Sequence, residues 1–157
     1  MFWGKKKANP QSVTGIVALA TPLSYRIYDV LIENDKAFGF FKDTEEALFK
    51  HFMAASVMIA IIRLDSDYHA VYFSRIVESL ERHYSGMEKI CNDFNEYIKL
   101  NHQYNTGLDE IVLKRLHERV GTGDVSNQAE IEILAGGVKA VFAMNYDWFE
   151  KNDMPIK

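Results

Sequence analysis

Residues 43–64 constrain this chain more than any other stretch. From Leu48 onward the segment is apolar on every side of a helical projection: Leu48, Phe49, Phe52, Met53, Val57, Met58, Ile59, Ile61 and Ile62 leave no polar stripe. A helix that is apolar all round has to be covered by other elements. The same stretch is too short to cross a membrane. It carries Lys50, His51 and Arg63, and its unbroken apolar part runs only from Phe52 to Ile62, interrupted by Ser56, whereas a span needs roughly 20 apolar residues. Asp43, followed three residues later by Glu46, forms an acidic variant of the capping box, and Glu45 and Glu46 suit the positive end of a helix. The segment is therefore expected to be the central helix of an all-α bundle. In a chain of 157 residues, part of so greasy a helix is expected to face another subunit.

The rest of the chain is also helical in pattern, and alternating strands bounded by Asn-Gly or Asp-Gly turns are absent from it. Thr21 followed by Pro22 reads as an N-cap and first helical position, which predicts a helix over 21–33 with Leu23, Ile27, Val30 and Leu31 on one face. Residues 13–20 then form an earlier turn or helix that Pro22 interrupts. Residues 34–42, broken by Gly39, read as a loop whose Phe38, Phe40 and Phe41 plug one end of the core. A third helix, capped by Ser66, carries Phe73, Ile76, Val77, Leu80 and Tyr84, with Glu78 and Arg82 paired on its wet face. A fourth starts from the capping box Ser85-Gly86-Met87-Glu88 and ends near Asn105. A fifth runs from Thr106 to a stop at Gly121, followed by a loop through Gly123 and Asp124. The sixth covers about 126–150, with Ile131, Leu134, Val138, Val141, Phe142, Asn145 and Phe149 on one face. Gly136 and Gly137 fall in its middle, where each costs roughly 1 kcal/mol relative to alanine. The face shared by Gly136, Ala140 and Ala143 is expected to receive the backbone of a neighbouring helix. The resulting architecture is a single domain of five to six mostly antiparallel helices spanning 13–150, with tails at 1–12 and 151–157.

Composition excludes several functional classes. A net charge of −4 and a pI of about 5.7 argue against a general nucleic-acid binder. One cysteine, Cys91, rules out an intramolecular disulfide and a cysteine-based zinc site. Phosphate-cradling glycine loops, the His-Glu-x-x-His zinc motif and the Gly-x-Ser-x-Gly elbow are all missing. The absence of Glu-x-x-His pairs removes a ferritin-type di-iron bundle.

Three functional readings remain. The first is a non-catalytic interaction or assembly module, cytoplasmic and homo-oligomeric, with Phe52, Met53, Val57, Met58, Tyr146 and Trp148 as interface residues, since tyrosine and tryptophan are favoured at interfaces. The second is a metal- or haem-binding protein. The histidines fall on different helical segments, and His51, His69 and His83 are the candidate ligands. The run Asp65-Ser66-Asp67-Tyr68-His69 suits a divalent ion less well, because a helix start favours carboxylates by themselves. A haem would require an apolar slot and a free axial histidine, with His69 and His102 as the pair. The third is peripheral membrane contact, with Phe2 and Trp3 at headgroup level and Lys5, Lys6 and Lys7 on anionic lipid. The region is not read as a signal peptide, because its apolar run, residues 13–20, is short and contains Thr14 and Gly15.

Overall fold

The computed structural model describes residues 7–38, 45–101, 107–121, 128–152 and 154. Among the described residues there are six α-helices: α1 (Pro10–Phe38), α2 (Glu45–Arg63), α3 (His69–His83), α4 (Met87–Asn101), α5 (Leu108–Val120) and α6 (Gln128–Lys151). A 3-10 turn, Ser66–Tyr68, leads into α3. The expected all-α bundle is the observed fold, and α2 is its centre. Every residue from Phe52 to Ile62 is buried, and α2 packs against each of the other five helices.

That burial corrects one expectation. Phe52, Met53, Val57 and Met58 are at most 2% exposed within a single chain, so they offer no surface to a second copy. Part of the covering comes from α1, which is 29 residues long and continues unbroken through Pro22. The Pro-at-first-position device operates at Pro10, not at Pro22. The Asn9 side chain accepts a hydrogen bond from the Gln11 N–H (2.9 Å), and its carbonyl accepts the Val13 N–H (3.0 Å). Thr21 is therefore mid-helix, where its hydroxyl donates to the Val17 carbonyl (2.8 Å). Pro22 has no N–H for the Ala18 carbonyl, an interior defect that costs about 3 kcal/mol. Packing outweighs it: Ile16, Ala20 and Ser24, at i, i+4 and i+8 on either side of Pro22, are all buried. Breaking the helix at residue 22 would turn one of those groups away from α2.

Two further contacts fix α1. The Ser24 hydroxyl lies 3.2 Å from that of Ser56, which itself donates to the Phe52 carbonyl (2.9 Å), so the polar groups buried between α1 and α2 satisfy each other. On the other side, α1 lies against α6. The Trp148 indole rests on Gly15 so closely that a Cβ there would sit 2.4 Å from its Cζ2. The expected helical body starting at residue 13 thus begins earlier, and Asn9 is held by its N–H to the Tyr72 hydroxyl (3.2 Å). At the other end, Met154 is buried and its N–H reaches the Phe149 carbonyl (3.2 Å), so not all of 151–157 is tail.

Several boundaries follow from side chains more distant in sequence than a local reading considers. Asp65, not Ser66, caps the turn before α3, accepting the Asp67 N–H (3.1 Å). The start of α4 is capped from α3, where the Glu81 carboxylate accepts the N–H groups of Gly86 (3.1 Å) and Glu88 (2.8 Å). These backbone bonds hold the Glu81 carboxyl below its usual range. Gly86 adopts φ +89°, the left-handed region in which a side chain is strained. Lys50 ties this turn to α2 by donating to the Ser85 carbonyl (2.7 Å). The expected Glu78–Arg82 pair forms at 3.0 Å. On α6, Leu134, Val138, Val141, Asn145 and Phe149 are buried as the periodicity requires. The expected helix start at Asp43, the phenylalanine plug at 40–41, the end of the fourth helix near Asn105, the fifth-helix start at Thr106 and the Gly123-Asp124 loop lie outside the described residues, as do the side chains of Leu23, Ile27, Leu31, Phe38 and Phe142.

Gly15→Ala tests the α1–α6 contact. A solvent-facing glycine-to-alanine change in a helix gains up to about 1 kcal/mol. Here the added methyl must displace an indole ring, and the expected result is a loss of about 1–3 kcal/mol in urea unfolding. The loss should shrink when Trp148 is also replaced by alanine.

Candidate interaction surface

The densest polar cluster joins α4 to α5. Asp93 receives two arginines in a bidentate manner: Arg115 through Nε (2.9 Å) and Nη2 (2.5 Å), and Arg119 through Nε (3.2 Å) and Nη2 (2.7 Å). Arg115 also reaches Glu118 (3.0 Å) and lies over the Tyr97 ring, 4.5 Å from its centroid. The Tyr97 hydroxyl donates to the other Glu118 oxygen (3.3 Å). Burial by itself would raise the Asp93 pKa, but the hydrogen bonds from Arg115 and Arg119 outweigh it and hold the carboxyl below its ordinary range. Each member of this network is engaged by another, so the cluster reads as a brace between α4 and α5, not as a reactive centre. It was not legible in the sequence, because Asp93 is 22 and 26 residues from its partners.

The candidate ligands His51, His69 and His83 each bond or pack close to their own position in the chain. His51 donates from Nδ1 to the Ala47 carbonyl one turn back in its own helix (2.7 Å). His69 is bonded through Nε2 to the Leu64 carbonyl (2.7 Å), and His83 is exposed, edge-on to Tyr84. Among the described residues, no three His, Cys, Asp or Glu side chains gather closely enough to hold a metal ion. The proposed ligand set His51, His69 and His83 is therefore not assembled, because each ring sits near its own chain segment. The carboxylate of Asp65 is used as a cap, and His102 lies outside the described residues. Cys91 is buried, and its burial pushes the thiol up to about 12, far from a reactive thiolate.

A surface groove of about 610 Å³ lies between α3 and α4, floored by Phe73 and Val77 and rimmed by Glu78, Glu81, Arg82 and Glu88. Two of its three carboxylates are already engaged: Glu81 caps α4, and Glu78 pairs with Arg75 (3.5 Å) and Arg82. Of the residues considered for membrane contact, Lys7 is exposed, while Phe2, Trp3, Lys5 and Lys6 lie outside the described residues. None of the helices, among the described residues, is long and apolar enough to cross a membrane.

The outer face of α6 differs from these sites. Gly136, Lys139, Ala143, Tyr146 and Asp147 are exposed along it. The expected approach of a neighbouring backbone to Gly136 is not observed among the described residues, where a Cβ would have no neighbour within 4 Å. The tight approach occurs instead at Gly15, because the buried stripe of α6 passes through Leu134, Val138 and Val141 and turns Gly136 outward. Two large apolar side chains flank this face, Met144 (43% exposed) and Tyr146 (48% exposed). Tyr146 packs against a cation from α2: the Arg63 guanidinium stacks on its ring, 5.2 Å from the centroid. The neighbouring Glu150 carboxylate raises the Tyr146 pKa. Of the six residues expected at an interface, Tyr146 is exposed, Trp148 is half-buried against α1, and the four on α2 are enclosed. The burial of Trp148 was missed because its partner is a glycine, which gives no hydrophobic signal.

The fold places this chain among all-α helical bundles. No protein-family model, no curated protein and no solved structure matches it.

Two measurements follow from this geometry. Asp93 contributes most above the ordinary carboxylate pKa of about 3.9, and its contribution falls away as acid carries the pH down through its lower native value. Asp93→Asn is expected to lose about 1 kcal/mol at neutral pH, with a smaller gap to wild type at pH 3, measured as urea midpoints. Gly136→Ala is expected to gain about 0.5–1 kcal/mol in monomer stability, the opposite sign to Gly15→Ala, because no atom stands in the way of its methyl.

Proposed function

We propose that this chain is a non-catalytic helical assembly module that associates with a second copy of itself through the outer face of α6. The observation that carries the reading is Gly136: a glycine inside a long helix, exposed and, among the described residues, with open space above it. Such a residue lowers helix stability by roughly 1 kcal/mol relative to alanine. The expected return within the fold, close packing of another helix of the same chain, is missing among the described residues. Close approach of a backbone from outside would supply it. Ala143, two turns along, continues the low profile, and Tyr146 provides a large amphipathic side chain already stacked against Arg63.

The non-catalytic part of the reading is supported by how the polar side chains are occupied. The Asp93 cluster braces two helices, the metal-ligand candidates are apart, and the lone thiol is protonated and buried. A cytoplasmic setting belongs to the same proposal, supported by that single thiol, which suits a reducing compartment.

Size-exclusion chromatography with light scattering tests the proposal. The wild-type protein is expected to have a mass above 18.1 kDa that rises with concentration. Ala143→Arg is expected to return it to the monomer mass with unchanged helical circular dichroism, because the substitution is on an exposed position. Wild-type protein that stays at the monomer mass at high concentration, or an Ala143→Arg variant that associates like wild type, overturns it.

A further inference from the structure

We draw no further inference here: the strongest candidate, the groove between α3 and α4 floored by Phe73 and Val77, carries nothing because its Glu81 carboxylate caps α4, its Glu78 carboxylate is paired with Arg75 and Arg82, and nothing in the structure shows what covers it.

Discussion

The enclosure of α2 governs the rest of the molecule. From Phe52 to Ile62 no side chain of this helix reaches solvent to any useful extent, and each large apolar one that is covered stabilises the fold by about 1.5–3 kcal/mol as an upper figure. The helix satisfies its own backbone hydrogen bonds, so burying it leaves one polar side chain in that run to accommodate, Ser56. A single hydroxyl from α1, that of Ser24, does so. With α2 at the centre, the remaining helices have to form a wall around it, and their lengths and faces follow from that requirement.

The most consequential part of the wall is α1. A proline in a helix interior ordinarily ends the helix, yet the buried positions at four-residue spacing around Pro22, Ile16 and Ala20 before it and Ser24 after it, face the core together only if the helix continues. The cost of one missing N–H is local and fixed, whereas the gain accumulates over the whole stripe. The same helix accepts the Trp148 ring at Gly15, where the absence of a side chain brings α6 in close. Glycine thus has opposite meanings at two places in the fold: it is a contact on α1 and an opening on α6.

The polar groups are mainly used to join elements. Glu81 closes the start of α4, Lys50 anchors the intervening turn to α2, and Asp93 collects two arginines from α5. Charged side chains engaged in this way are poor candidates for substrate chemistry, because freeing them would cost the helix caps and the α4–α5 brace. The outward face of α6 lies apart from these caps and braces, and there exposed small residues and an exposed tyrosine coincide.

The sequence by itself determined the fold class, the central helix and most of the buried stripes of α3 and α6. These depend on the period of apolar residues along one helix, which is local information. Gly86, at φ +89°, also marks a real boundary by its own conformational chemistry, and α5 stops where Gly121 follows it in extended backbone. Tertiary structure alone decided the continuity of α1 through Pro22, the capping of α4 by Glu81, the brace at Asp93, and which glycine receives a neighbour. It also decided that Phe52, Met53, Val57 and Met58 are enclosed by their own chain while Tyr146 is not. Each of these is a competition between a local preference and a contact with a residue far along the chain, and the outcome depends on how much surface the distant partner covers, a quantity that no local pattern contains.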